Sequence, residues 1–188
     1  MSDYYIAVPH DDYVVHHGIL GQKWGIRRYQ NADGSLTDAG KKRYEKQAYK
    51  SLKNYAKEAD YMLSSYTTEN DIKRRNQAEK QARNDLEKVI SKDSVDRISN
   101  SVSNRYKAVK NLHKFASGTK EYAKAGKKET KAYYKMSKNL KKEADSILTT
   151  IGGEPVKKLS DEDYAACNDL IYDILYQKAY ERIKKDDY

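Results

Sequence analysis

The sequence predicts an all-α protein: an elongated helical bundle or set of helical hairpins behind a small irregular N-terminal module. Three observations carry this. No proline stands between Pro9 and Pro155, so nothing in the middle of the chain forbids helix. Apolar residues there recur at alternating spacings of three and four, which is the period of one face of an α-helix. Each such stretch also opens near Ser, Thr, Asp or Asn, the residues that cap helix starts.

The elements follow in order. Tyr4–Val8 and Tyr13–Val15 could pair as a short hairpin, although Pro9 weakens that pairing. Ser35-Leu36-Thr37-Asp38 is a capping signal for a first helix, in which Tyr44, Ala48, Leu52, Tyr55, Ala59, Met62 and Tyr66 form one apolar stripe. Thr68-Glu69-Asn70-Asp71 caps a second helix, whose stripe of Ile72, Ala82, Leu86 and Ile90 is weaker. Between Lys73 and Gln81 there is almost nothing to bury, so an exposed basic face is expected there.

A third helix after Asp93-Ser94 carries Val95, Ile98, Val102, Tyr106, Val109, Leu112 and Ala116 on one side, with Gly118 ending or bending it. A fourth carries Tyr122, Tyr133, Met136, Leu140, Ala144, Ile147 and Ile151, with Gly126 weakening its first turns, and stops at Gly152-Gly153. Ser160-Asp161-Glu162-Asp163 caps the last, whose face of Cys167, Leu170, Ile171, Ile174, Leu175, Ala179 and Ile183 is the most hydrophobic.

Composition makes the core thin. Charged residues are 35% of the 188 and the mean hydropathy is -1.05. Against that, 18 tyrosines stand beside one phenylalanine. A tyrosine buries a large ring while keeping a hydroxyl for water or a partner, so tyrosine is expected to do much of the packing. Charge divides the chain into three. Residues 1–36 hold three basic and four acidic groups, and 159–188 hold four and eight. That leaves thirty basic and sixteen acidic groups in 37–158, a surplus of fourteen within a net charge of +9. The expected domains are therefore an N-terminal Trp/Gly/Arg module at 1–36, a basic helical body at 37–158 and an acidic amphipathic helix at 159–188 that packs on the body. A basic surplus of this size points to a polyanion or an acidic partner.

Catalytic chemistry finds little support. Cys167 is the one cysteine and sits among apolar helical positions, which suits a buried thiol in a reducing setting better than a nucleophile. His10, Asp11, Asp12, His16 and His17 form the one cluster of possible metal ligands, and no second cluster completes a site. His113 stands alone on a charged helix. Gly18, Gly21 and Gly25 match neither phosphate-loop spacing, and no Ser–His–acid or Cys–His–acid set can be assembled. We expect no enzyme, no metal and no cofactor. No run of ~18 apolar residues and no basic-then-apolar leader is seen, so a soluble protein inside a cell or particle is expected.

Binding is better supported. Trp24 stands among Lys23, Arg27, Arg28 and Tyr29, a large aromatic ringed by cations that suits stacking on a base or anchoring in a protein pocket. Lys73-Arg74-Arg75, Lys127-Lys128 and Lys141-Lys142 could touch the phosphates of duplex DNA without reading sequence.

The segment His16-His17-Gly18-Ile19-Leu20-Gly21-Gln22-Lys23-Trp24-Gly25-Ile26-Arg27-Arg28-Tyr29-Gln30-Asn31, continuing through Asp33-Gly34-Ser35-Leu36-Thr37 to Gly40-Lys41-Lys42-Arg43-Tyr44, resembles one found in proteins of tailed phages and prophages of Firmicutes. It departs from that pattern at Gln22, where methionine is usual. The likeness covers about 29 residues and implies phage origin rather than an activity. A small, basic, non-enzymatic phage protein is similar to the type II anti-CRISPR proteins. This implies an inhibitor in the host bacterial cytoplasm that binds an RNA-guided nuclease, and duplex DNA non-specifically, with no membrane partner. The alternative is a head-associated virion protein with phage head proteins as partners.

Overall fold

The computed structural model describes residues 29–31, 35–61 and 68–186, and the described residues form five helices. These are α1 (Asp38–Tyr61), α2 (Glu69–Leu86), α3 (Lys92–Leu112), α4 (Lys120–Gly152) and α5 (Asp161–Asp186), with a 3-10 turn (Glu154–Lys158) before α5. The all-α expectation holds. The expected hairpin at Tyr4–Val15 lies outside the described residues, as do Met62 and Tyr66 of the first apolar stripe. None of the helices is long and apolar enough to cross a membrane.

All five helices start on a hydroxyl. Thr37, Thr68, Ser91, Thr119 and Ser160 each accept a hydrogen bond from the backbone N–H three residues on, at 3.1–3.2 Å. Each cap satisfies an N–H that would otherwise lack an intrahelical partner, and is worth about 1 kcal/mol. At Thr68 the cap is reciprocal, since Asp71 accepts from the Thr68 N–H at 2.9 Å. The third helix starts on Ser91, a turn earlier than Asp93-Ser94 suggested. It also ends before the apolar pattern does, at Leu112, leaving Ala116 exposed in the link. The fourth helix runs unbroken through Gly126. Gly153 ends it at φ +56, and its N–H donates to the Thr149 carbonyl at 2.9 Å.

The chain divides into two compact units, 1–40 and 41–188. In the first, Gln30 bridges Leu36, the Asn31 N–H donates to the Ser35 carbonyl at 2.7 Å and the Thr37 N–H donates to the Tyr29 carbonyl at 3.2 Å. Asn31 Nδ2 adds a bond to Ser35 Oγ at 2.8 Å. Residues 29–31 thus lie folded back against residues 35–37 at the start of α1. A Cβ at Gly40 would lie 2.2 Å from the Tyr29 carbonyl oxygen, closer than atoms can approach. Alanine for glycine in a helix ordinarily adds ~0.5–1 kcal/mol. Here we expect Gly40→Ala to loosen the turn instead, with hydrogen exchange at the Asn31 and Thr37 amides rising about ten-fold or more, the equivalent of ~1.4 kcal/mol. Unchanged exchange would show that the turn does not need the close approach.

In the second unit, α3 and α4 run antiparallel. Arg97 holds Glu143 through Nη2 at 2.6 Å and Nε at 3.0 Å, Asn139 donates to Ser101 at 2.6 Å, and Arg105 pairs with Glu129 at 3.3 Å. The partners fall in sequence as one partner number rises, which is the signature of antiparallel neighbours. α5 adds the heart of the core with Cys167, Leu170, Ile171, Ile174, Leu175 and Ala179. Facing it are Ala48, Leu52, Tyr55 and Ala56 of α1, Ala78, Ala82 and Leu86 of α2, and Met136, Leu140, Ala144, Ile147, Leu148 and Ile151 of α4. Alanine supplies much of the buried surface of α1 and α2, so backbones can approach closely where large side chains are few. Besides Ala116, two positions assigned to core stripes are exposed, Ile72 and Tyr133. Arg105 lies 5.1 Å from the Tyr133 ring centroid, so that ring sits beside a cation rather than in the core.

The tie between α1 and α2 is polar and buried. Asp85 is 1% exposed. Its Oδ1 accepts from Gln47 at 2.9 Å and Lys88 at 3.0 Å, and its Oδ2 accepts from Ser51 at 2.6 Å and Gln81 at 2.8 Å. Cys167 lies at the α1–α5 contact, its thiol 3.7 Å from the Leu52 carbonyl. Burial pushes that thiol up to about 12, so it carries no thiolate near neutral pH and is inert as a nucleophile.

Candidate polyanion-binding face

α4 is the longest helix, with 33 residues. Its buried residues Ala125, Met136, Leu140, Ala144, Ile147, Leu148 and Ile151 define the face turned to the core. At 100° per residue, Lys120, Lys124, Lys127, Lys131, Lys135, Lys138 and Lys142 fall within an arc of about 80° on the opposite side. All seven are exposed. With a rise of 1.5 Å per residue the row is about 33 Å long. Lys128 and Lys141 flank it and are exposed as well.

Three of the four carboxylates of α4 are placed elsewhere; the fourth, Asp145, is exposed within the same arc just beyond Lys142 and accepts from the Tyr164 hydroxyl. Glu129 and Glu143 turn to α3, where Arg105 and Arg97 take them. The Arg97 hydrogen bond, foremost among its causes, holds the Glu143 carboxyl below its usual range. Glu121 lies in the first turn, where a negative charge meets the positive end of the helix. No described carboxylate bridges any lysine of the row. Tyr134, one turn from both Lys131 and Lys138, is 68% exposed and offers a ring face beside the cations. The arrangement can hold a run of phosphates by charge, with an aromatic surface for stacking alongside.

The other residues expected to bind fall into different settings. Lys127 and Lys128 belong to the α4 face. Tyr29 is half-buried in the turn before α1. Lys23, Trp24, Arg27 and Arg28 lie outside the described residues, as does the cluster of His10, Asp11, Asp12, His16 and His17. Lys73 and Arg74 are held by their own surroundings, and Arg75 is not. Lys73 pairs with Glu69 at 2.7 Å, and Arg74 pairs with Asp71 at 2.5 Å and Glu58 at 3.5 Å. Arg75 is half-buried, with an Nε that finds no hydrogen-bond partner among the described residues. The Lys73 and Arg74 charges are thus answered, whereas Arg75 and the α4 row have no ion pair among the described residues.

The row was present in the sequence as lysines spaced 4, 3, 4, 4, 3 and 4 apart. Reading adjacent pairs such as Lys127-Lys128 picks out two of its members and misses the period. Among the described residues no group of three or more His, Cys, Asp or Glu could hold a metal ion. Comparison with protein-family models, curated proteins and solved structures finds no match.

Proposed function

We propose that this chain is a phage-encoded, non-enzymatic binding protein whose α4 lysine row lies against the phosphates of duplex DNA. The observation that carries the reading is the row itself: seven exposed lysines on the side of α4 away from its buried residues. Like charges at i,i+4 each cost a helix about 0.2–0.5 kcal/mol, and Lys120–Lys124, Lys127–Lys131, Lys131–Lys135 and Lys138–Lys142 all have that spacing. A merely solvated surface gains nothing from such an arrangement, since interspersed acids would stabilise it. Phosphates would offset the repulsion and release counterions.

The segment from His16 to Tyr44 bears on phage origin alone, and it is the basic body behind it that supports a role in blocking target engagement by an RNA-guided type II nuclease. The DNA-facing row would compete at the target duplex while the rest of the molecule contacts the nuclease. Phage origin and the same basic body also fit the second reading, a head-associated virion protein lying on packaged DNA. Target cleavage by a purified type II nuclease, with and without this protein at a fixed low salt concentration, separates the two. Inhibition that rises with dose supports the first reading. Unchanged cleavage together with recovery of the protein in purified particles supports the second.

A further inference from the structure

Tyr134 is the most exposed large apolar side chain among the described residues, at 68%. At 100° per residue it stands about 20° outside the arc of the lysine row, near the middle of its length. At helical spacings of three, four and seven residues from it stand Lys131, Lys138, Lys127 and Lys141, and no carboxylate. Asp145 and Asp169 share a groove with Lys138, Lys141 and Lys142, and no ion pair joins them among the described residues. The ring contact of Tyr134 is with Tyr133, edge-on with centroids 5.7 Å apart at 65°. Arg105, itself held by Glu129, lies over Tyr133 and fixes this neighbour in place. An edge-on neighbour covers at most one face of a ring. Tyr44, Tyr106, Tyr133 and Tyr180 each have a cation over the ring, and no described cation stands over Tyr134. Tyr134 therefore keeps an open ring face among cations.

A row of ammonium groups meets phosphates of any strand and does not tell paired bases from unpaired ones. A ring among them does, because the bases of a duplex stack on each other whereas an unpaired base has a free π-face. The row is also straight. Over a length of ~33 Å a duplex strand winds about once around its axis, a turn being about 34–36 Å, so the row cannot stay beside one such strand. A single strand can follow it throughout. We propose that the α4 face takes single-stranded DNA, its phosphates along the lysines and one unpaired base stacked on Tyr134. This rests on the reading of the row as a contact for DNA phosphates, and adds that the DNA is opened there rather than fully paired. An acidic protein segment would answer the lysines as well, but its carboxylates give the Tyr134 ring nothing to stack on.

Fluorescence anisotropy of the full chain with three labelled probes of equal length tests this: an oligothymidine, a duplex and an abasic phosphodiester strand. A length of about 12 nucleotides lies within the range of known single-strand sites. Tyr134→Ala is expected to weaken oligothymidine binding about 5- to 150-fold, the worth of one stacked base, and to leave the duplex and the abasic strand unchanged. Tyr134→Phe keeps the ring and should bind as the parent does. The exposed ring carries little of the fold, so a thermal melt of Tyr134→Ala should match the parent. An equal loss for all three probes, or no loss for any, overturns the proposal and leaves the row as a phosphate contact. Clearly tighter binding of oligouridine than of oligothymidine also overturns it, assigning the face to RNA. So does poly-glutamate that binds as tightly as oligothymidine, which would assign the face to an acidic protein. Failure of every nucleic-acid probe to bind at low salt overturns the phosphate reading of the row as well.

Discussion

Replacing Lys124, Lys127, Lys131, Lys135 and Lys138 together by glutamine is expected to abolish duplex DNA binding and to raise the melting temperature at the same time. The two effects have one cause. Each lysine that neutralises a phosphate contributes about -0.9 to the slope of log K against log salt. If all five contact phosphates, the slope becomes shallower by about four to five, and affinity at low salt falls by several orders of magnitude. Removing like-charge neighbours one turn apart relieves about 0.2–0.5 kcal/mol per pair, and Lys124, Lys127, Lys131, Lys135 and Lys138 contain two such pairs, Lys127–Lys131 and Lys131–Lys135. The variant should therefore fold at least as well as the parent. Fluorescence anisotropy with an arbitrary duplex at several salt concentrations, alongside a thermal melt, measures both. Neutralising Lys73 and Arg74 instead should change the slope less, because Glu69, Asp71 and Glu58 already hold those charges. A quintuple variant that binds like the parent would reduce the row to solvated surface.

Helices are the part of this molecule that can be read from its sequence. The caps at Thr68 and Ser160 and the stop at Gly152-Gly153 depend on residues within one turn of each other, so local chemistry decides them. The buried stripe of the last helix is equally legible, because Cys167, Leu170, Ile171, Ile174 and Leu175 recur with the helical period and are all buried. Boundaries were harder where apolar residues outrun the helix. Ala116 continues the α3 pattern, but the bond from the His113 N–H to the Val109 carbonyl closes the last turn before it.

The long-range features were not legible. Asp85 reads as an ordinary surface acid of a charged helix. Its burial depends on Gln47 and Ser51, 38 and 34 residues away, coming against it. The edge-on contact of Tyr106 with Tyr180, itself stacked on Tyr176, likewise depends on α5 meeting α3, and no local period announces it. The lysine row lies between these cases. Its spacing is visible in the chain, but only the buried face of α4 shows that the row points away from the core.

Asp85→Ala is expected to cost about 2–4 kcal/mol of stability, a range set by hydrogen bonds to a buried charged group. Four donors converge on this carboxylate, Gln47 and Ser51 from α1, Gln81 from α2 and Lys88 from the turn that follows α2. The Lys88 share is the smallest, because its side chain is 46% exposed and water screens the pair. Gln47, Ser51 and Gln81 would be left pointing at a void beside Leu86. In a chain of this size each kcal/mol moves the melting temperature by about 2–4 °C, so a fall of about 4–16 °C is expected. The same site sets an acid limit. Burial pushes the Asp85 carboxyl up, but the hydrogen bonds from Ser51, Gln81 and Lys88 outweigh it and hold the group below its ordinary value of 3.8. A carboxyl held low when folded stabilises the fold in full at pH above 3.8 and loses that contribution as pH falls through the lower folded value. Urea unfolding between pH 7 and pH 2 should therefore show the parent losing stability at the acid end, while Asp85→Asn starts lower at pH 7 and loses less. Asparagine keeps the shape and one acceptor oxygen but has no charge to titrate. Parallel acid profiles for the parent and Asp85→Asn would mean that some other carboxylate governs the acid limit, and an Asp85→Ala variant within about 0.5 kcal/mol of the parent would class the site with ordinary surface positions.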